Sequence, residues 1–256
     1  MRKKAFLAVA LTVLALASLA SAETIQKGNL RVAFDGKITP SKLPREGSAA
    51  VTVAVGTTIT STTPGKPPPR LTKISIAINR HGHLDSTGLP VCEVSDIQPA
   101  TTAKALVACR GSLVGEGSFA ATVALSRQGT FPSEGKLVAF NGTYENRPAI
   151  LAHVYGTEPV PTSFTLPFVI TESKGTFATT LTAVLPRADD NFVTGLELTL
   201  NRSFTYRGQK RSYASAGCPA PKGFPGATFP FAKASYAFAG AGKLSSTLTR
   251  SCRARG

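Results

Sequence analysis

The stretch Lys73-Ile74-Ser75-Ile76-Ala77-Ile78-Asn79 decides the fold class. Isoleucine stands at every second position, and polar or small residues fill the gaps. Side chains alternate between the two faces of a strand, so this pattern buries one face and leaves the other to water. An antiparallel sheet with one wet face has this period; a helix does not, and a parallel sheet covered on both sides reads as a continuous apolar run. The period recurs outward in both directions. Leu30, Val32 and Phe34 alternate with Arg31, Ala33 and Asp35, and Val51, Val53 and Val55 alternate with Thr52 and Ala54. Further strands are expected at 118–125, 136–141, 150–155, 163–171, 176–185, 194–206, 235–239 and 244–249. Thr, Val and Phe dominate them, as a pleated half-buried surface favours. Ser173-Lys174-Gly175, Arg207-Gly208 and Gly240-Ala241-Gly242 supply turns between them. Many short strands at this spacing predict an all-β antiparallel sandwich, or two packed sandwiches.

Composition agrees. The 256 residues are 42% hydrophobic, enough to build a core, and only 17% charged. That charge content is well under the usual value of about 25% and disfavours Glu/Lys-rich helical bundles. One short helix is expected at 103–108, where Ala, Lys and Leu follow the capping pair Thr101-Thr102. Pro64-Gly65-Lys66-Pro67-Pro68-Pro69 reads as a stiff loop between strands, and 218–230 as a long irregular segment over one end of the sheet.

The N-terminus reads as an export signal. Arg2, Lys3 and Lys4 precede an apolar stretch that ends at the small residues Ala20-Ser21-Ala22. The expected organisation is a signal peptide at 1–22, a short tail at 23–28 and an all-β extracellular domain at 29–256. If the domain is subdivided, the cut falls near 127–129, at Arg127-Gln128-Gly129. No second apolar run is long enough to span a membrane. Cys92, Cys109, Cys218 and Cys252 lie beyond the leader and lack the spacing of a zinc ribbon, so an oxidising compartment predicts disulfides. Four cysteines allow three pairings; the nearest-neighbour choice, Cys92–Cys109 with Cys218–Cys252, is the expectation.

The charge points to partners. Lys and Arg number 29 against 14 Asp and Glu, a formal +15, and removing residues 1–22 leaves +12. An exported chain does not usually meet chromosomal nucleic acid, so the polyanions open to it are cell-wall polymers, acidic polysaccharides, anionic lipid heads and extracellular DNA. The strongest binding candidate is the segment Asn201 to Tyr213, where Phe204, Tyr206 and Tyr213 interleave with Arg202, Arg207, Lys210 and Arg211. Aromatic faces stack on sugars or bases while the cations pair with anionic groups.

Catalytic signals are sparse. The chain contains no G-x-S-x-G, S-x-x-K or H-E-x-x-H string. Gly115-Glu116-Gly117-Ser118 lacks the lysine and the following helix of a phosphate loop. Glu197, opposite the leucines of Leu196-Glu197-Leu198-Thr199-Leu200, is the leading carboxylate for glycan hydrolysis and otherwise a solvent-facing strand position. Asp189-Asp190-Asn191 reads as an acidic turn. His81 and His83 share a face if their strand continues, and His153 is the candidate third ligand of a metal site. No cofactor is expected.

Three strings, Ile78-Asn79-Arg80-His81-Gly82-His83-Leu84 running on to Leu89-Pro90-Val91-Cys92, Ser215 to Pro225 around Cys218, and Leu244 to Cys252, resemble a group of uncharacterised secreted proteins of high-GC soil actinobacteria. The resemblance covers nearly all of the chain after the leader. It implies export and a bacterial source, and no catalytic residues. The leading expectation is a non-catalytic exported protein that binds an anionic envelope polymer or polysaccharide. The alternatives are an envelope-glycan hydrolase or metal-binding protein, and a structural protein-interaction module.

Overall fold

The computed structural model describes residues 22–125, 128–188 and 190–255. Apart from Ala22, the leader read at 1–22 lies outside the described residues, as do Arg127 of the candidate subdivision and Asp189 of the acidic turn.

The strands are β1 (Glu23–Lys27), β2 (Leu30–Thr39), β3 (Lys42–Pro44), β4 (Ala49–Ala50), β5 (Thr52–Ser61), β6 (Leu71–Asn79), β7 (Gly82–Leu84), β8 (Leu113–Leu125) and β9 (Gly129–Tyr144). They continue as β10 (Arg147–Gly156), β11 (Thr162–Glu172), β12 (Phe177–Val184), β13 (Asn191–Leu200), β14 (Ser203–Tyr206), β15 (Gln209–Ser212), β16 (Ala214–Ala216), β17 (Gly226–Phe238) and β18 (Gly242–Arg255). Residues 23–28, expected as a tail, hold β1 instead, because Glu23 to Lys27 pair with Phe34 to Leu30 and Ile25 packs on the core.

Thirteen of these strands form one sheet in the order β1-β2-β5-β13-β8-β9-β10-β11-β12-β6-β17-β18-β3. Its pairs are antiparallel except β18 with β3, which run parallel. The sheet curls until β1 and β2 pack beside β18. Side chains make that seam: Lys27 Nζ donates to Ala241 O at 3.1 Å and Arg250 Nε to Gly36 O at 2.6 Å. The two layers of the expected sandwich are thus opposite walls of one continuous sheet. Alternating positions such as Val32 and Phe34 of β2, Ile74 and Ile76 of β6, and Leu196 and Leu198 of β13 meet in a single buried cluster. That cluster takes Phe119 from before residues 127–129 and Leu137 from after them.

Strands β9 and β10 depart from alternation. Leu137 to Phe140 and Ala149 to Ala152 are all buried, because their outward side chains are covered too. Val138, Phe140, Ala149 and Leu151 pack against Ile97 of α1 (Val94–Ile97) and Ala105 of α2 (Thr102–Ala108). Helix α2 is the expected one, capped by Thr101 Oγ1, which accepts from Lys104 N at 3.3 Å. Helix α1 was not expected; Asp96 Oδ2 accepts from Glu93 N at 2.9 Å and closes a capping box over a single turn. The Cys92–Cys109 bridge ties this cover down, and Cys218–Cys252 anchors the segment after β16 to β18. Both pairings are those expected.

The continuous strand read at 194–206 splits. After β13, Asn201 N still donates to Val114 O at 3.3 Å, while Arg202 O already accepts from Tyr213 N at 2.9 Å. The chain leaves the large sheet there for the β14–β15 hairpin. The alternation runs on unbroken through Arg202, Phe204 and Tyr206, so the change of partner leaves no mark in the period. A small sheet, β4-β16-β7, lies over one end of the curled sheet.

Candidate functional site

The β14–β15 hairpin turns its aromatic rings toward the body of the protein, burying Tyr213 and half-burying Phe204 and Tyr206. Cross-strand register puts Arg202 opposite Tyr213 and Phe204 opposite Arg211, so these four share one face of the ribbon with Tyr206. That face packs on the loop after β7. Asp85 N donates to Tyr213 O at 2.8 Å, and Arg211 Nη1 pairs with Asp85 Oδ2 at 2.8 Å. Desolvation opposes ionisation of Asp85, but the Thr87 amide and hydroxyl and the Arg211 guanidinium together hold its carboxyl below the ordinary value. Gly88 lies flat against the Tyr206 ring, where any β-carbon would overlap it. The guanidiniums of Arg207 and Arg211 approach the same ring at 5.2 and 5.7 Å from its centroid.

The reading of Tyr213 as a stacking platform is therefore corrected: it is 0% exposed and belongs to the main core. Burial pushes its hydroxyl well above the usual tyrosine range. Phe204 and Tyr206 are half-buried by the same packing, and Arg207 and Lys210 are the exposed cations of the tip.

The three histidines are not brought together. His153 is fully buried beneath the helical cover, on the outward face of β10, whereas His81 and His83 border a space under the small sheet. Among the described residues, the one cluster of metal-ligating atoms is Cys92, Asp96 and Cys109, and its two sulfurs are joined in the disulfide. The metal-site expectation for His81, His83 and His153 is corrected accordingly. Glu197 stands on the outer surface, where it accepts from Ser118 Oγ at 3.3 Å. Register places it and Asp35 on either side of Gly56, in a shallow open groove.

The most distinctive surface is one that sequence reading missed. Strands β12, β6, β17 and β18 are neighbours, and none of them contains an Asp or Glu. Their outward side chains form rows across the sheet. Lys73 and Lys243 flank Ala237 in one row, and Thr182, Ser75, Ser235 and Ser245 form the next. Thr180, Ala77, Lys233 and Thr247 form a third. Toward the other end of β18, Arg253 and Arg255 are exposed, with Lys42 of β3 paired beside Arg253. Hydroxyls pair among themselves, Ser75 Oγ with Thr182 Oγ1 at 3.0 Å and Thr228 Oγ1 with Ser251 Oγ at 2.8 Å. From Lys243 to Arg255 the strip runs about 40 Å, at ~3.3 Å per strand residue. The residues come from four separate stretches of chain, and strand pairing alone assembles them. The lack of acidic residues in each stretch was the available signal.

The chain matches no known family model, no curated protein and no solved structure. Among the described residues, no helix is long and apolar enough to cross a membrane.

Proposed function

We propose that this is an exported, non-catalytic protein that holds an anionic polymer of the cell envelope or extracellular space along the outer face of β12, β6, β17 and β18. The observation that carries the reading is the exclusion of carboxylates from four adjacent strands that expose Lys73, Lys233, Lys243, Arg253 and Arg255. A polymer with spaced negative groups meets cations at intervals along this strip without meeting a repelling carboxylate on it. The Ser and Thr hydroxyls between the cations donate to phosphate, sulfate or carboxylate oxygens. Export is supported by the basic and apolar leader with its small-residue end, and by two disulfides in a chain without free cysteines among the described residues.

The test is co-sedimentation of the oxidised protein with purified cell envelope from low to high salt. Binding is expected to fade as salt rises, because exposed charges are screened. A Lys73→Glu/Lys233→Glu/Lys243→Glu variant should bind at least about tenfold more weakly, at ~0.5 kcal/mol for each lost exposed pairing. An Arg207→Glu/Lys210→Glu variant at the hairpin tip should bind nearly as well as the parent. Binding that ignores both salt and the triple reversal sinks the proposal.

A further inference from the structure

The interior of the curled sheet is not filled at the end that the small sheet covers. A cavity of about 60 Å³ lies between the walls of β5, β6, β13 and β17 and the lid formed by β7 and β16. Its walls are hydrocarbon: Ile76, Ile150, Phe168, Leu181, Leu198 and Phe231 come from six different strands. The polar lining residues are Asn79 at the end of β6 and His81, His83 and Ser215 at the lid. Asn79 is already committed, since its Nδ2 donates to Pro230 O at 2.7 Å and its Oδ1 accepts from His81 N at 3.0 Å. Water needs two to four polar partners to occupy a cavity, and these walls do not supply them.

The space is not sealed in the manner of a packing defect. Ile38, Val53, Val55 and Leu84 line it and are only half-buried, so its apolar wall continues out to solvent along the edge of the lid. Aliphatic side chains in such numbers are ordinarily hidden, and here they make an apolar mouth to an apolar chamber. The lid is built of small residues, with Gly82 on β7, Ala214 and Ala216 on β16 and Gly217 just after it, and each of the two strands has only three residues. Backbone bonds from Val51 N to Ala214 O at 3.1 Å and from Gly217 N to His81 O at 2.9 Å hold it in place.

We infer that this chamber is a binding site for the end of a hydrocarbon chain, which enters past Val53 and Val55 under the lid. At about 60 Å³ the chamber is under half the ~150 Å³ of an apolar cavity that accepts benzene, so it takes the last two or three carbons of a chain. A neutral alkyl terminus satisfies the wall chemistry, whereas a charged or hydroxylated group placed inside would lose its hydrogen bonds without replacement. This site is internal and uncharged, and it stands apart from the basic outer face.

The test is calorimetric titration of the oxidised protein with a series of straight-chain alcohols from ethanol to decanol. One site per chain is expected, with affinity rising about fourfold per added CH2 until the chamber is full, then levelling. High salt should leave this binding unchanged, so its failure is distinguishable from failure of the polymer reading. An Ala216→Leu variant fills the chamber and should weaken binding more than tenfold. A Leu198→Ala variant enlarges it and should move the levelling point to longer alcohols, which keeps the test open should the first variant fold poorly. Lack of saturable binding across the series, or binding that neither substitution shifts, overturns the inference.

Discussion

Gly117 sits in β8 so close to β13 that a β-carbon there would overlap the Glu197 carbonyl oxygen, and Gly115 crowds Thr199 O in the same way. The string Gly115-Glu116-Gly117 therefore serves backbone approach between two strands of the wall, which is why it resembles a phosphate loop only on paper. His153 presents the opposite case, a polar residue in an apolar place. It is 0% exposed, neither ring nitrogen has a hydrogen-bond partner, and it faces Thr165 across the β10–β11 pair, whose Oγ1 is also without one. Burial lowers its pKa from the usual 6.5, so the folded protein resists protonating it. As pH falls through about 6.5, the unfolded chain takes up a proton that the folded chain refuses, and stability declines until the folded value is also passed. His81, lowered by burial and then by Arg80 and His83, acts in the same direction. Thermal melts should therefore show the parent losing stability between pH 7.5 and pH 5. His153→Leu should lose visibly less over that interval while melting no lower at pH 7.5. Parallel declines in parent and variant would remove His153 as the cause.

At the scale of elements, the helical cover shows what local sequence can and cannot specify. Helix α2 was legible because Thr101 caps a run of strong helix formers. Helix α1 was not, since four residues carry no period, and its turn is closed by the Glu93–Asp96 box under a tertiary load from Ile97. Seven- and four-residue helices are marginal on their own, so packing and the Cys92–Cys109 bridge hold them. The bridges close loops of 17 and 34 residues. In the chain-entropy picture they stabilise the fold by about 3 and about 4 kcal/mol. Urea denaturation of the Cys92→Ala/Cys109→Ala and Cys218→Ala/Cys252→Ala variants should report losses near those figures. The first should also raise amide exchange over Val138 and Phe140, which the cover shields. A Cys92/Cys109 variant as stable as the parent would show that packing alone suffices.

For the molecule as a whole, closure rests on a seam without a shared ladder. Arg250 reaches from β18 to Gly36 O on β2, and Gly36 is tight against Leu248 and Ala54 O, so the two strands approach closely there. A hydrogen bond to a charged donor contributes about 2 kcal/mol. Arg250→Met should destabilise the protein by about that amount, with faster amide exchange concentrated in Leu30–Thr39 and Gly242–Arg255; uniform exchange across the sheet would place closure elsewhere.

The sequence by itself determined the strand faces, the all-β class, the capped helix and a cysteine set suited to two bridges. Each of these is local: a two-residue period, a capping hydroxyl, an even count of thiols. The order of thirteen strands, the curl that merges two expected layers into one, the burial of Tyr213 and the separation of His153 from His81 and His83 were decided only in three dimensions. The carboxylate-free face and the apolar chamber belong with them. Alternation tells which side of a strand faces inward, but it carries no information about which strand lies beside it, and both proposed binding surfaces are assembled by neighbours.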